Sequence, residues 1–284
     1  MTCPEEQVRE ATSPEGASVD FDAPKPTGGR EPYTVACTPG SGSLFRIGES
    51  IVDCKVTDAD LTQATCGFIV RVKVSQTLAH TKFLAYGDSM TAGVTSLSPM
   101  IRLDPPDTYP YKLEQMLLQS YPSQSITVHN GGKSGDHVEE GAERLPSVLA
   151  ATTPDVMLLL MGINGINGFS TSRQLRGIRD MVTTAQAAGV EVIIATVMPV
   201  TPAWRLYLPT TPGKIHDLNA GIVQVAAQFG LGNVVDLHAL FEANIYLIGQ
   251  DGLHPTLEGQ TRIAEAFRDE IVRRYETHAT MRPR

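Results

Sequence analysis

The chain has 284 residues, of which 42% are hydrophobic, and carries a formal net charge of -8. A partner that presents a phosphate backbone requires a clustered basic surface, and the sequence has no basic run, so we expect no nucleic-acid binding. No apolar run approaches the roughly 20 residues of a membrane-spanning helix, which predicts no transmembrane segment. The length favours one large domain and one small domain.

The cysteines distinguish the N-terminal part of the chain from the rest. All four lie within the first 66 residues, at Cys3, Cys37, Cys54 and Cys66. An even number of cysteines in a small segment predicts two disulfides and an oxidising compartment, with three possible pairings that the spacing leaves open. Free thiols and a zinc site are the alternatives. Zinc is disfavoured because the segment has no Cys-x2-Cys pair and no histidine before His80.

The same segment has the pattern of short β-strands. The runs ASVDFDA, YTVACTP, ESIVDCKVTDA and TCGFIVRVKV alternate apolar and polar residues between Gly, Pro, Ser and Asp turns, which predicts a small all-β sandwich. The CTPGSGS turn, the GESIVDC strand and the closing TCGF strand resemble the hyalin repeat, an immunoglobulin-like module of extracellular proteins. The resemblance covers about residues 2 to 75 and implies a spacer or binding module without catalysis. We therefore predict a hyalin-repeat-like domain over residues 1–75.

Residues 76–81 form a polar stretch that we predict to be a linker. Beyond it, apolar runs alternate with helical patterns. The strand candidates are KFLAYG, SITVHN, DVMLLLMG, VEVIIATVM and GNVVDL. The helix candidates span residues 109–121, 138–151, 171–188, 212–229 and 256–278. Continuous apolar strands that alternate with helices predict a parallel sheet covered on both faces, so we expect a doubly wound α/β/α domain over residues 82–284.

Four loops of this domain carry polar groups and follow predicted strands or precede the last helix. They read GDS, NGGKSGD, GINGING and DGLHP. Loops at the carboxyl ends of parallel strands converge, which brings these groups to one site. Acyl transfer requires a nucleophile, a base and a residue that orients the base, and we assign these roles to Ser89, His254 and Asp251. The backbone N–H groups of Ser89 and Gly135 and the side-chain amide of Asn164 are the candidate oxyanion donors.

These four blocks, in this order and approximate spacing, resemble those of the SGNH hydrolases, also called the GDSL esterase and lipase family. The resemblance covers about residues 82 to 275. It implies a flavodoxin-like fold with a five-stranded parallel sheet, and it places the family's nucleophile, oxyanion groups and Asp-x-x-His pair on the residues named above. It also implies a mechanism without a metal or an organic cofactor.

Some positions depart from the family pattern or have a structural alternative. The third block of the family reads Gly-x-Asn-Asp, and here Gly165 occupies the position of the second acid. Lys133 in the second block either favours an anionic substrate or is solvated, and the solvated interpretation is the more common one for a lone surface charge. Asp88 either orients the nucleophile loop or caps the following helix. Taken alone, Ser89 is a typical helix cap and Asn164 a typical turn residue.

A long segment, residues 198–214, carries the only tryptophan of the chain. Loops of this length in compact domains are often functional, so Trp204 and Tyr207 are candidate walls of a substrate pocket. The alternative is that they only fix the segment to the body of the domain. A second segment, from Ser96, is a candidate for the opposite wall.

These features predict a serine esterase that acts on carboxylic esters with short acyl or acetyl groups. The substrate classes implied by the family are a small ester, a lipid or an acetylated carbohydrate. A lysophospholipase-like lipid hydrolase and an adhesion or binding protein with an inactive hydrolase domain are the alternatives. The disulfides predict a secreted, periplasmic or cell-surface location, in which case an export signal has been removed. The sequence does not define the oligomeric state.

Overall fold

The computed structural model describes residues 1–74, 76–95 and 102–278, with the side chains of residues 205–207 and 278 excepted. The chain divides into two compact units, one formed by Met1–Thr77 with the C-terminal end from Thr277, and the other by Leu78–Glu276. Each unit is described by itself below.

The first unit is built from β-strands. Its strands are β1 (Gln7–Glu10), β2 (Ala17–Val19), β3 (Thr34–Thr38), β4 (Ser43–Phe45), β5 (Gly48–Thr57), β6 (Gln63–Lys73) and β7 (Gln76–Leu78). Strands β1, β6, β5 and β3 form one sheet in that order, and β2 pairs with β4. The pairings of β5 with β3 and β6 are antiparallel, whereas β1 runs parallel to β6. Alternation along β5 and β6 buries Val52, Phe68 and Val70 in the core of the unit.

Two disulfides join the strands of this unit. Cys3 is bonded to Cys66, and Cys37 is bonded to Cys54. Cys37 and Cys54 lie directly opposite each other in the antiparallel pair of β3 and β5, which places their Cα atoms 4.0 Å apart. The structure thus selects one of the three pairings that the spacing left open, and all four cysteines are oxidised.

The second unit contains a parallel sheet. Its strands are β8 (Lys82–Gly87), β9 (Thr127–Gly132), β10 (Val156–Leu160) and β11 (Glu191–Ile194). All three pairings are parallel, in the order β11-β10-β8-β9. All five residues of β10 and five of the six residues of β8 are buried, which explains their continuous apolar sequences.

Helices cover both faces of this sheet. They are α1 (Ser89–Ala92), α2 (Tyr109–Ser120), α3 (Val138–Thr152), α4 (Thr171–Ala187), α5 (Pro202–Tyr207), α6 (Thr211–Gln228), α7 (Leu237–Ala243) and α8 (Leu257–Tyr275), with 3-10 turns at Pro105–Asp107 and Ile245–Leu247. The chain passes from β8 out to β9 through α2 and returns to β10 through α3, so right-handed crossovers place α2 and α3 on opposite faces. Accordingly, α2 packs against α8, and α4 packs against both α3 and α6. No helix within the described ranges has the length and apolar character needed to cross a bilayer.

Two predicted elements differ from the structure. The run GNVVDL contributes a single parallel bridge between Val235 and Ala195 in place of a fifth strand. The strand stops there because the carboxylate of Asp236 accepts the N–H of Ala239 and caps α7. Residues 76–78 of the predicted linker form β7, which pairs with β12 (Glu276–His278), so the last helix ends at Tyr275 and not at residue 278.

Two glycines at the carboxyl ends of β8 and β9 allow close contacts with the backbone of neighbouring segments. A Cβ atom at Gly87 would lie 2.1 Å from the carbonyl oxygen of Leu160. A Cβ atom at Gly132 would lie 2.1 Å from the backbone nitrogen of Ala92. Any side chain at either position would push the loops apart, so the sequence brings the ends of β8, β9 and β10 together here.

Candidate active site

Ser89 lies at the carboxyl end of β8, where the chain turns into the short helix α1. The turn is fixed by Asp88, whose carboxylate accepts the N–H of Met90 and so caps the helix. Gly93 ends the helix in the left-handed region at φ 84° and donates its N–H to the carbonyl oxygen of Ser89. The side chain of Ser89 is therefore held on a short, rigid turn at the end of a central strand.

His254 and Asp251 approach Ser89 from the loop before α8. The Nε2 atom of His254 lies 2.9 Å from the Oγ atom of Ser89, and its Nδ1 atom lies 2.6 Å from Oδ2 of Asp251. The other oxygen of Asp251 accepts the backbone N–H groups of Leu253 and His254, each at 2.9 Å. This turn folds the carboxylate back onto Nδ1 and leaves Nε2 directed at the serine. The arrangement allows a proton to pass from the hydroxyl group to the imidazole.

The two carboxyl groups next to this hydrogen-bonded chain have opposite pKa shifts. Burial opposes ionisation of Asp251, but its hydrogen bonds from His254 and Leu253 more than offset burial, and its pKa lies below the usual value. Asp88 is almost fully buried, and burial raises its pKa to about 6 although its carboxylate accepts the N–H groups of Met90 and Gly162. Asp251 is thus the carboxylate that contacts the imidazole directly and whose ionised form these hydrogen bonds favour.

The second and third loops are joined by a hydrogen bond. The Nδ2 atom of Asn164 donates to the carbonyl oxygen of Asp136 at 2.9 Å, and the second N–H of this amide has no acceptor in the part of the chain that the structure describes. Gly135, immediately before Asp136, is exposed and has a φ of 85°, a left-handed conformation that favours glycine. The second loop is also tied to the first, because Lys133 donates its N–H to the carbonyl oxygen of Gly87 at 3.0 Å.

Comparison with known proteins identifies the family. The profile of the GDSL-like Lipase/Acylhydrolase family matches residues 85–262. The chain belongs to this family. An arylesterase of Vibrio mimicus is 29% identical over 201 residues, which cover 69% of this chain and 90% of that protein. Thioesterase 1/protease 1/lysophospholipase L1 of Escherichia coli strain K12 is 26% identical over 205 residues, which cover 70% of this chain and 86% of that protein.

A solved structure shows the same fold. The crystal structure of the lipase/acylhydrolase from Enterococcus faecalis superimposes with a TM-score of 0.58 at 21% identity, over 69% of this chain and 97% of that protein. The predicted resemblance to the SGNH hydrolases is confirmed, and so is the prediction of a carboxylic ester hydrolase of the serine esterase type.

The departure of this GDSL-family chain at Gly165 has a steric cause. A Cβ atom at Gly165 would lie 2.8 Å from Cδ2 of Phe169 and 3.0 Å from Oε1 of Gln174. The ring of Phe169 is held in place by the ring of His137 at 4.9 Å and by the guanidinium group of Arg173 at 3.6 Å. The space that an aspartate side chain would need is therefore occupied by α4 and the loop before it.

Trp204 lies beside the loop that carries Asp251 and His254. It is half-buried and packs against the core of the unit, and its buried Nε1 atom has no hydrogen-bond partner among the described residues. A Cβ atom at Gly252 would lie 3.3 Å from Cβ of Trp204, so the tryptophan abuts this loop. Tyr207 is at the end of α5, but its side chain lies outside the described residues, as do residues 96–101 of the second predicted wall.

A charged pair that is not among the predicted site residues, Asp136 and Arg144, lies next to the site. The Asp136 carboxylate is almost fully buried and forms ion pairs with Arg144 of α3 at 2.5 Å and with Lys133 at 3.1 Å. The side chain of Lys133 is 63% exposed, so it lies in solvent with an acid for a partner. A signal for Arg144 existed in the sequence. It lies three residues after the buried Gly141, which places it beside the buried stripe of α3.

Proposed function

We propose that this chain hydrolyses short-chain carboxylic esters, with acetyl esters foremost, through an acyl-enzyme formed on Ser89. The observation that carries the proposal is the hydrogen-bonded chain of Ser89, His254 and Asp251, at 2.9 and 2.6 Å. A serine hydroxyl is inert near neutral pH unless a base removes its proton, and this arrangement supplies the base together with the group that orients it.

The reaction proceeds in two halves. In the first, Oγ of Ser89 attacks the ester carbonyl carbon while Nε2 of His254 accepts the hydroxyl proton. The negative oxygen of the tetrahedral intermediate is stabilised by the N–H groups of Ser89 and Gly135 and by the second N–H of the Asn164 amide. His254 then returns the proton to the departing alcohol. In the second half, His254 deprotonates a water molecule, which attacks the acyl-enzyme. His254 then returns this proton to Oγ of Ser89 as the bond to the acyl group breaks and the acid is released.

Asp251 has an orienting and electrostatic role in this mechanism. Its hydrogen bond to Nδ1 fixes the tautomer in which Nε2 accepts a proton, and its charge stabilises the imidazolium ion that follows. Asp88 caps α1 and thereby holds the serine turn. The mechanism requires no metal ion and no organic cofactor.

We also propose a setting for this activity. The first unit is a hyalin-repeat-like, immunoglobulin-like β-sandwich module, supported by its antiparallel strands and its two disulfides. Disulfides persist in oxidising compartments, which supports a secreted, periplasmic or cell-surface protein. An acetylated carbohydrate is the physiological substrate class that suits a short-acyl esterase with an accessory module.

The test is hydrolysis of p-nitrophenyl esters from acetyl to long-chain acyl by the wild type, Ser89→Ala and the exposed-site control Ser123→Ala. We expect hydrolysis of the short esters by the wild type and the control, and a loss of at least a thousandfold for Ser89→Ala, a typical effect of removing a nucleophile. Equal rates for all three proteins would contradict the serine assignment. A preference for long acyl chains would contradict the short-chain proposal and favour a lipid hydrolase.

A further inference from the structure

Arg144 uses all three arms of its guanidinium group beside the candidate active site. Its Nε atom donates to Oδ2 of Asp136 at 2.5 Å, Nη1 donates to the carbonyl oxygen of Gly131 at 2.9 Å, and Nη2 donates to the carbonyl oxygen of Gly87 at 2.9 Å. The guanidinium carbon lies 4.2 Å from the centre of the Tyr86 ring. The side chain is 19% exposed, so these contacts are largely shielded from water.

The partners of Arg144 belong to separate segments of the site. Gly87 ends β8 and comes two residues before Ser89. Gly131 lies near the end of β9. Asp136 follows Gly135, and its backbone carbonyl oxygen accepts the N–H of the Asn164 side-chain amide. One side chain therefore connects the strand that ends at the nucleophile with the loop that carries one oxyanion donor and orients another.

We propose that Arg144 is a positioning residue that sets the nucleophile and the oxyanion donors at their catalytic separation. The inference rests on the proposed function. A guanidinium group is planar and rigid, so its three hydrogen bonds fix the relative positions of their acceptors, which a flexible ammonium group cannot do. Oxyanion stabilisation depends on donors that are already in place when charge develops, so a small widening between Ser89 and Gly135 lowers the rate of the chemical step.

Substrate binding depends less on this separation, and Arg144 makes no described contact with His254. Loss of the three hydrogen bonds of Arg144 is therefore expected to lower kcat and to leave KM nearly unchanged. A residue with a purely structural role would instead reduce the fraction of folded protein and leave the turnover of each folded molecule as it was.

The chain contains a matched control. Arg274 of α8 donates through Nε to Oε1 of Glu270 at 2.5 Å, through Nη1 to the carbonyl oxygen of Val192 at 3.3 Å, and through Nη2 to that of Asn233 at 2.6 Å. Its side chain is 13% exposed. Each acid keeps a second cationic partner when its arginine is changed, Arg273 for Glu270 and Lys133 for Asp136. Val192 is the second residue of β11, away from the carboxyl ends of the strands.

The experiment compares Arg144→Lys with Arg274→Lys in the full chain. Initial rates with p-nitrophenyl acetate give kcat and KM, the pre-steady-state burst of p-nitrophenol counts competent Ser89 sites, and thermal unfolding reports stability. Both variants should lose similar stability. We expect kcat per competent site to fall at least tenfold for Arg144→Lys, with KM changed less than twofold, and to stay within twofold of the wild type for Arg274→Lys.

A second substitution guards against misfolding. Arg144→Gln keeps donors to a carbonyl oxygen but removes the charge, and it should show the same selective loss of kcat. Equal kcat values per competent site for the two lysine variants would overturn the inference. The Ser89→Ala variant separates this failure from a failure of the proposed function. If it is inactive while Arg144→Lys turns over normally, only the role of Arg144 is wrong, and if it is active, the nucleophile assignment itself is wrong.

Discussion

Replacing Gly165 with alanine tests whether packing excludes a side chain at the position where the GDSL family has an acid. Gly168 is the matched control because it lies in the same loop and a Cβ atom there would have no neighbour within 4 Å, whereas a Cβ at Gly165 would meet Cδ2 of Phe169 at 2.8 Å. Neither glycine has a φ in the left-handed region. Both substitutions reduce the freedom of the unfolded chain equally, so their difference in stability isolates the steric contact.

The magnitude follows from the contact distance. Carbon atoms in favourable contact are about 3.5–4.0 Å apart, so the Phe169 ring or the loop must move by roughly 0.7 Å or more. An added methyl group in a well-packed site costs about 1–3 kcal/mol, and a compatible Gly→Ala change stabilises by about 0.4–1 kcal/mol. Because the gain is common to both variants, we expect Gly168→Ala to be about 1–3 kcal/mol more stable than Gly165→Ala.

The assay is calorimetry of both variants beside the wild type, with ester hydrolysis followed over the same temperatures to identify the transition of the catalytic unit. For a unit of this size, each kcal/mol shifts the midpoint by about 2–4 °C, so the two variants should differ by about 2–12 °C. A Gly165→Ala protein as stable as Gly168→Ala would show that the loop has room for a side chain, and the steric explanation of this family departure would be wrong.

Three further outcomes are expected. Asp251→Asn should lower kcat by on the order of a thousandfold or more, with an unchanged circular dichroism spectrum, because the amide no longer enforces the productive tautomer; a change under twofold would contradict its role. The fold favours protonated Asp88, whose pKa is raised to about 6, so the unfolding free energy of the wild type should fall by at most ~3 kcal/mol as the pH rises from about 4 to about 6. Asp88→Asn should abolish this decline in urea titrations. An unaltered pH profile in the variant would refute the raised pKa. Replacing both cysteines of the Cys3–Cys66 disulfide, which spans 63 residues, should destabilise the first unit by about 4 kcal/mol. Replacing those of the Cys37–Cys54 disulfide, which spans 17 residues, should cost about 3 kcal/mol, because the closed loop is shorter. The reverse order in chemical unfolding would argue against loop entropy as the cause.

The sequence predicted the parts of the fold that local pattern controls. The buried apolar runs of β8 and β10 and the helices between them follow from hydrophobic periodicity, and the four loops follow from the rule that parallel strands end at one edge of a sheet. Ser89 and His254 are 165 residues apart, yet both that rule and the family resemblance predict that they share one site. The structure places Nε2 of His254 2.9 Å from Oγ of Ser89.

The remaining features depend on contacts that no local pattern encodes. The fifth strand is cut short because Asp236 serves as a helix cap, which competes with continuation of the strand. Residues 76–78 form a strand only because they meet residues 276–278 at the other end of the chain. The contacts of Arg144 lie 8, 13 and 57 residues away, and the disulfide pairing was equally invisible in the cysteine spacing.

The confinement of both disulfides to the first unit makes the catalytic unit a natural background for site-specific chemistry. Residues 78–276 contain no cysteine, and the four cysteines of the chain are all oxidised. A single cysteine introduced near the active site would therefore be the sole thiol of the molecule. A spin label or fluorophore could be attached there without reducing agents or background labelling, and it would report on the surroundings of the active site during acylation in the intact protein.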